Sequence, residues 1–252
     1  MTNNLSTLLI QIGIPSTEYQ TIEDRTTATS SIINESNETC KKRSIEFAWQ
    51  ASVRFGWQYK LVTEKKTKHN SPALEIFDIF INEAYDHYDR IIILDTDTYY
   101  FTDSPNILEY YPTEGFHAVS RMGKIFDVGK EPDHLARINK SHLVDKFKIN
   151  YFNSGVILVD KSTREKLKPY FSYNQIEEWL DKKGLWSDDQ SAFNIAIHEA
   201  NVNIVPMHAY WNQMDKRYSE GYIVHLKGSI KNRENLFDKR AEGYLNAISS
   251  SN

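Results

Sequence analysis

Apolar residues recur along this chain with two different periods, and the periods alternate from the N-terminus. Runs without helical spacing predict strands at "TLLIQIGIP", "YKLVT" and "RIIIL". Helical spacing predicts amphipathic helices at "SIEFAWQASVRFGW", which Gly56 would end, and at "SPALEIFDIFINEAYDHY". The run "RIIIL" has no polar alternation, so we expect it to be buried on both faces of a parallel sheet. The order predicts an α/β fold with a doubly wound, mainly parallel sheet flanked by helices.

The C-terminal half continues the alternation less regularly. Strands are predicted at "FHAVS", "GVILVD", "VNIVP" and "YIVHL", and helices at "STREKLKPYF", "NQIEEWLDKK" and "DDQSAFNIAIHEA". Two segments do not fit the pattern. Residues 16–43 read as a polar loop too long to serve only as a connection, and residues 121–150 read as a polar, weakly helical insertion over one face. We therefore expect one domain spanning residues 1–252.

Composition excludes several classes of protein. The chain is 40% hydrophobic with a formal net charge of -4, which gives no basic surface for nucleic acid. No run approaches the roughly 20 apolar residues of a membrane span, and "MTNNLSTLLIQIG" lacks the basic region of a signal peptide. The lone Cys40 cannot form an internal disulfide and suits a reducing compartment. We expect a soluble, cytoplasmic protein that binds any anionic ligand through a local group of residues.

Two carboxylates follow the most apolar predicted strand, in "DRIIILDTDTYY". Ligands of open α/β sheets collect at the carboxyl ends of strands, and side chains two residues apart on an extended segment project the same way. Asp95 and Asp97 can therefore reach one cation, and oxygen ligands suit Mg²⁺ or Mn²⁺. The competing interpretation is ordinary turn chemistry, in which both aspartates bond local backbone amides.

Two enzyme classes place Asp-x-Asp after a hydrophobic strand. Phosphohydrolases and phosphotransferases with an aspartyl nucleophile use D-x-D-x-[TV], from which Tyr99 departs. Their nucleophile usually follows the first core strand, whereas here at least two predicted strands precede it. The other class comprises nucleotide-sugar glycosyltransferases of the GT-A fold, in which the motif holds a divalent cation against the donor diphosphate.

Three later motifs, "YFNSGVILVD", "DDQSAFN" and "HLKGSIK", follow in this order. Together with Asp-x-Asp they resemble the family-8 retaining glycosyltransferases, to which glycogenin and the bacterial lipopolysaccharide hexosyltransferases belong. The resemblance covers roughly Tyr85 to Lys231, and the ordered set is more specific than any single motif. It implies a GT-A fold, with residues 1–120 as the nucleotide-binding half and residues 121–252 as the donor-sugar and acceptor half.

The resemblance also implies roles for individual residues. Metal ligands would be Asp95, Asp97 and His225, holding Mn²⁺ or Mg²⁺. The donor UDP-sugar would be bound by Asp95, Asn153, Ser154, Gly155, Gly228 and Lys231. Catalysis would involve Asp189 and Gln190 beside the donor sugar and Lys231 on the departing diphosphate, whereas the family pattern gives Lys227 no role.

Departures from the family pattern affect the base and sugar more than the metal and phosphate. Asn232 and Arg233 replace the usual Pro-Trp after the terminal lysine, and the basic residue often found in the helix before Asp-x-Asp is not evident in "SPALEIFDIF". The expected activity is metal-dependent, retaining transfer of a hexose from UDP-glucose or UDP-galactose to a glycan, glycolipid or protein hydroxyl. The alternatives are an aspartyl-nucleophile phosphohydrolase and a non-catalytic nucleotide-sugar or carbohydrate-binding relative.

Overall fold

The computed structural model describes residues 5–13, 30–65, 72–120, 131–172, 189–214 and 221–225. The strands are β1 (Thr7–Ile12), β2 (Gln58–Val62), β3 (Arg90–Leu94), β4 (Thr98–Tyr100), β5 (Phe116–Ser120), β6 (Phe152–Asp160), β7 (Ile204–Pro206) and β8 (Ile223–His225). The α-helices are α1 (Ser30–Phe55), α2 (Asp78–Ile81), α3 (Ile107–Tyr110), α4 (Glu131–Arg137), α5 (Val144–Ile149), α6 (Lys161–Leu167) and α7 (Asp189–Glu199). Short 3-10 helices cover Pro72–Phe77, Glu83–Tyr85, Ser141–Leu143, Lys168–Tyr170 and Ala209–Asn212.

Six strands form one sheet in the order β2-β1-β3-β6-β5-β7. Strand β1 is parallel to β2 and β3, and β5 is parallel to β7, whereas β6 runs antiparallel to both of its neighbours. Five strands therefore share one direction, which confirms the predicted mainly parallel sheet. The same sheet contains strands from both sides of residue 120, and the division of the chain into two halves there stays a prediction.

Strand β3 lies inside the sheet and is buried on both faces, as its sequence predicted. Ile91 and Ile93 pack into the core cluster that contains α7 residues, whereas Ile92 and Leu94 pack into the cluster that contains Ala48 of α1. Consecutive side chains of a strand point to opposite faces, so one apolar run supplies both layers. The carboxyl end of β3 is therefore packed between two core clusters.

Helix α1 corrects the expectation of a long polar loop over residues 16–43. The helix already begins at Ser30, and residues 14–29 lie outside the described part of the chain. Ser44, Ala48 and Ala51 are buried, so tertiary packing anchors the C-terminal half. Extending a formed helix adds one hydrogen bond per residue without a new nucleation cost. The helix can therefore also include the weakly amphipathic stretch that precedes Ser44. The helix ends at Phe55, and Gly56 takes the left-handed φ of 71° that favours glycine at this position.

The helix predicted over "SPALEIFDIFINEAYDHY" is instead a series of short turns. Pro72–Phe77 and Glu83–Tyr85 are 3-10 helices on either side of α2. Asn82 has an extended backbone, and its side chain accepts a hydrogen bond from the Ala84 amide. An asparagine that bonds its own backbone competes with helix continuation, which explains the break.

Residues 131–149 also depart from the expected insertion over one face. They form α4, a 3-10 turn and α5, and they bury Leu135, Leu143 and Phe147 in the main core. These apolar positions are too widely spaced to give a strong periodic signal, yet each reaches the same cluster. Residues 121–130, and the helix predicted at "NQIEEWLDKK", lie outside the described residues. Among the helices described, none is long and apolar enough to cross a membrane.

Candidate active site

Asp95 and Asp97 occupy a tight turn directly after the buried strand β3. The carbonyl oxygen of Asp95 accepts hydrogen bonds from the Thr98 amide at 3.1 Å and from the Thr98 hydroxyl at 2.7 Å. The Asp95 amide donates to the carbonyl oxygen of Gly155 at 3.0 Å. The backbone of the turn is therefore hydrogen-bonded at both ends, and both carboxylates are partly exposed.

Two buried side chains from earlier elements secure this turn, and the sequence analysis identified neither. Gln11 of β1 donates to the Asp95 carbonyl at 3.2 Å and to the Ser44 hydroxyl at 3.0 Å. Ser44 of α1 in turn donates to the carbonyl of Thr98 at 2.5 Å. The only signal in the sequence is a polar residue inside each apolar pattern, which does not reveal the partner.

A two-stranded antiparallel sheet brings His225 to the carboxylates. Strand β4 follows the turn and pairs with β8, so that Thr98 lies opposite His225. His225 Nε2 is 3.1 Å from Asp97 Oδ1 and 3.7 Å from Asp95 Oδ2. The imidazole is buried, whereas the carboxylates of Asp95 and Asp97 keep 40% and 32% of their side-chain surface exposed, so a ligand can approach from the carboxylate side.

These three residues fit a divalent cation. One ligand atom from each lies within 4.8 Å of the other two. Ligands at right angles around an ion at about 2.1 Å are about 3 Å apart, which is close to the separation of His225 and Asp97. Two carboxylate oxygens and one imidazole nitrogen suit Mn²⁺ or Mg²⁺ and leave coordination positions for phosphate oxygens.

The polar segment of β6 packs against this cluster. The pairing of β5 with β6 shifts register between Ala118 and Ser120, whose partners are Ile157 and Phe152. The residues between those partners include Asn153, Ser154 and Gly155, which "YFNSGV" singled out as ligand-binding. The strand pairing is therefore irregular at these residues, and this irregularity does not exclude a ligand role.

Gly155 makes room for the metal-ligand histidine. A Cβ atom built on Gly155 would lie 2.4 Å from His225 Nδ1 and 2.5 Å from its Cε1. Side chains cannot approach so closely, so a larger residue here would displace the imidazole. The structure thus gives Gly155 a packing role beside His225, while direct contact of Gly155 with a donor stays a prediction.

The beginning of α7 places Asp189 and Gln190 in different surroundings. Asp189 is partly exposed and lines a cavity together with Asp95, Asp97 and Ser154. Gln190 is only 7% exposed. Its Oε1 accepts from Asn153 at 2.6 Å, and its Nε2 donates to the Tyr151 hydroxyl at 3.1 Å. Of the two side chains, Asp189 is therefore the one that lines the cavity.

The cavity has a volume of about 290 Å³ and opens at the carboxyl end of β3. Its described lining is Ile12, Lys41, Ile76, Ile93, Leu94, Asp95, Thr96, Asp97, Ser154 and Asp189. Lys41 belongs to α1 and was not recognised from the sequence, because it lies in the stretch read as a polar loop. It brings a cation to a cavity otherwise lined by carboxylates, hydroxyls and apolar groups.

The remaining predicted residues lie beyond the described part of the chain. The segment 226–252, which follows His225, is not described. It contains Gly228 and Lys231, and also Lys227, to which the family pattern gives no role. The roles predicted for Gly228 and Lys231 on the diphosphate stay predictions.

Comparison with known proteins supports the fold. No family model matches this chain, and no curated protein matches it. A crystal structure of a glycosyltransferase involved in glycosylation of the major capsid of PBCV-1 has a TM-score of 0.56 at 12% identity, covering 92% of this chain and 99% of that one. The apo structure of WbbM, a bifunctional glycosyltransferase, has a TM-score of 0.50 at 10% identity, covering 91% of this chain and 47% of that one. The chain has the GT-A fold that the motifs predicted.

Proposed function

We propose that this protein is a metal-dependent, retaining glycosyltransferase that moves a hexose from a UDP-sugar to a hydroxyl group of an acceptor. The observation that carries the proposal is the meeting of Asp95, Asp97 and His225 at the carboxyl end of the central strand β3. In a GT-A fold this edge of the sheet is where a nucleotide ligand is expected. The cavity beside the cluster supplies a place for it.

The three clustered residues would hold Mn²⁺ or Mg²⁺. When bound, such a cation supplies charge stabilisation to the diphosphate that leaves the anomeric carbon. Hydrogen bonds at Asp95 and Thr98 hold the backbone of the turn that carries both carboxylates, which limits the reorganisation needed to bind a cation. Lys41, on the cavity wall, would add a second positive charge near the phosphates.

Asp189 would act on the sugar. Departure of a diphosphate leaves oxocarbenium-like positive charge on the anomeric carbon, which a nearby carboxylate stabilises. Asp189 lines the cavity, whereas the Gln190 carbonyl is occupied by Asn153. These contacts favour Asp189 over Gln190 as the group that faces the reactive carbon. Gln190 would then support the site from behind, through its bonds to Asn153 and Tyr151.

Donor and acceptor identity follow less directly from the residues. By analogy with the family that the motifs resemble, UDP-glucose and UDP-galactose are the proposed donors. A glycan, a glycolipid or a protein hydroxyl is the proposed acceptor class. Either donor carries the diphosphate that Lys41 and a cation held by Asp95, Asp97 and His225 would bind.

A panel of nucleotide sugars tests the proposal without an acceptor. The purified chain is incubated with UDP-, GDP- and CDP-sugars in Mn²⁺, and release of nucleoside diphosphate is measured with and without excess EDTA. We expect hydrolysis of at least one UDP-hexose that EDTA abolishes, with the released sugar initially in the donor's anomeric configuration. Full activity in EDTA, or first release of the opposite anomer, would contradict the proposal.

The same assay separates the other two candidate activities. Phosphate release from a simple phosphomonoester, without turnover of any nucleotide sugar, would favour an aspartyl phosphohydrolase. Calorimetric binding of a UDP-sugar without any turnover would favour a non-catalytic relative. Neither candidate accounts for the histidine beside the carboxylate pair and for Asp189 in the same cavity as well as glycosyl transfer does.

A further inference from the structure

A chain of buried amides connects the donor-sugar residues to the candidate metal site. Gln190, Asn153 and Asn212 are 7%, 2% and 2% exposed, and His225 is 4% exposed. Asn153 Nδ2 donates to Gln190 Oε1 at 2.6 Å, and Asn212 Nδ2 donates to Asn153 Oδ1 at 2.7 Å. Asn212 Oδ1 lies 3.1 Å from His225 Nδ1. The other imidazole nitrogen, Nε2, faces Asp97 and Asp95.

The direction of these side-chain hydrogen bonds is set by a backbone amide, which can only donate. The Gly155 backbone amide donates to Asn153 Oδ1 at 3.0 Å, so the Asn153 side chain must turn its oxygen toward Gly155. Because an amide oxygen has no proton, Asn212 must meet Asn153 with its NH2 group. The orientation of both amides therefore follows from one backbone N–H and does not depend on how each amide would be assigned alone.

The same orientation dictates the protonation of His225. With its NH2 group used by Asn153, Asn212 presents its oxygen to His225 Nδ1. Two acceptors 3.1 Å apart would repel, so Nδ1 must carry a proton. Nε2 faces a second acceptor, the Asp97 carboxylate at 3.1 Å, and it is the ring nitrogen left for a cation, which would take the place of a proton there. The partner of one ring nitrogen decides which nitrogen can bind a metal.

We propose that Asn212 is a positioning residue that holds His225 in the tautomer able to bind a cation through Nε2, and that Asn153 fixes the orientation of Asn212. The use of this cation in glycosyl transfer rests on the proposed function, whereas the tautomer does not. The amide chain also joins Gln190 to the metal ligand, so changes in the sugar subsite reach the cation through Asn153. Neither Asn212 nor this connection was recognised from "MHAYWNQM".

Backbone pairing supports a positioning role for Asn212. The residue after it, Gln213, accepts a hydrogen bond from the His225 amide at 2.9 Å and donates to the Ile223 carbonyl at 2.9 Å. The segment carrying Asn212 is thereby attached to β8 itself. Asn212 and His225 are thus held on adjacent backbones, and a small displacement of β8 would move both together.

Nitrogen NMR measures the tautomer directly, without metal or substrate. Long-range proton–nitrogen spectra of histidine-labelled protein are recorded at alkaline pH, and the His225 signals are assigned with a His225→Ala variant. We expect Nδ1 of His225 to carry a proton. A lone pair on Nδ1 would overturn the inference. This result stands whether or not the chain transfers sugar.

Variants then connect the tautomer to metal affinity, measured by calorimetry with Mn²⁺ alone. Asn212→Leu removes the acceptor at similar volume and should weaken Mn²⁺ binding about 10–100-fold. Asn212→Asp retains an acceptor for Nδ1–H but loses the NH2 group that donates to Asn153, so it should keep Nδ1 protonated and bind Mn²⁺ more tightly than Asn212→Leu. Wild-type affinity in a folded Asn212→Leu protein would overturn the positioning role, and an Asn212→Leu protein that fails to fold leaves Asn212→Asp and the NMR result to decide.

A control separates positioning from general stability. Ser104 is buried, and its hydroxyl donates to the Tyr222 carbonyl at 2.7 Å, next to the other end of β8. Ser104→Ala should lower the melting temperature without changing the His225 tautomer or Mn²⁺ affinity. If wild-type protein shows the expected tautomer but binds no Mn²⁺, the proposed function fails and the tautomer assignment survives. The opposite pattern, Mn²⁺ binding with a lone pair on Nδ1 of His225, overturns only the present inference.

Discussion

Thr98 and His225 lie opposite each other in the small sheet of β4 and β8, and this pairing places the imidazole beside Asp97. Thr98 is also the residue whose amide and hydroxyl close the turn on Asp95. One threonine therefore joins the carboxylate turn to the histidine strand. The geometry of the candidate metal site depends on this register, because shifting a strand by one residue turns its side chains to the other face.

Removing one carboxylate of the cluster should abolish most metal binding and turnover. In Asp97→Ala the cation would lose the oxygen ligand closest to His225, so we expect Mn²⁺ affinity to fall at least 10-fold and donor hydrolysis to fall at least 100-fold. Calorimetry with Mn²⁺ and the hydrolysis assay measure the two effects. Asp103→Ala, a change at an exposed acid six residues further on, is the matched control and should leave both unchanged.

Adding a single methyl group at Gly155 should displace His225. The new Cβ would meet the imidazole at 2.4 Å, so Gly155→Ala should cost about 1–3 kcal/mol of stability and weaken Mn²⁺ binding at least 10-fold. Gly56→Ala provides the contrast, since the left-handed φ there strains alanine but no atom lies within 4 Å of its Cβ. That variant should lose about 1 kcal/mol of stability with Mn²⁺ affinity intact. Equal metal affinity in both variants would refute the packing role of Gly155.

Neutralising Asp189 should affect chemistry more than binding. Asp189→Asn preserves the shape of the side chain while removing the charge that would stabilise the anomeric carbon. We expect turnover of the UDP-sugar to fall at least 10-fold with UDP affinity within about 2-fold of wild type. Separate measurements of hydrolysis rate and UDP binding test this split. Parallel losses of both would instead assign Asp189 to nucleotide binding.

Lys41 should contribute to donor binding through its charge. Lys41 lines the cavity, whereas its neighbour Lys42 is exposed and is not among the lining residues. Lys41→Ala should weaken UDP binding several-fold, with a smaller effect at high salt, because an exposed charge interaction is screened. Lys42→Ala should be neutral. UDP titrations of both variants at two salt concentrations measure this difference. Equal UDP affinity of the two variants would exclude a diphosphate role for Lys41.

Lys231 should stabilise the leaving diphosphate, as its motif predicts. Such a charge stabilises the transition state more than the ground state. Removing it therefore lowers turnover more than it lowers donor affinity. Lys231→Ala should therefore reduce the hydrolysis rate more than donor binding, while Lys227→Ala should be close to neutral. Kinetics of both variants with one UDP-sugar measure the difference. Damage from the Lys227 change alone would mean that the motif alignment is out of register.

The sequence by itself determined the local parts of this protein. The apolar run of β3, the paired carboxylates behind it and the start of α7 at Asp189 depend on neighbours within a few residues, so their patterns could be read directly. The order of the motifs was also sufficient to predict a GT-A fold. Predictions failed where local structure depends on contacts made elsewhere. The first half of α1 extends a helix that is anchored by packing of its C-terminal half, and the helices after residue 130 pack into the main core.

Only the tertiary structure decided how the parts of the site meet. The β4–β8 register brings His225 to Asp97, a missing Cβ at Gly155 admits the imidazole, and Asn212 orients it. None of these relationships has a periodic signature, because each joins residues far apart in the chain through strand pairing, steric clearance or a buried hydrogen bond. The cost of leaving a buried polar group unpaired makes such long-range contacts specific once the chain has folded.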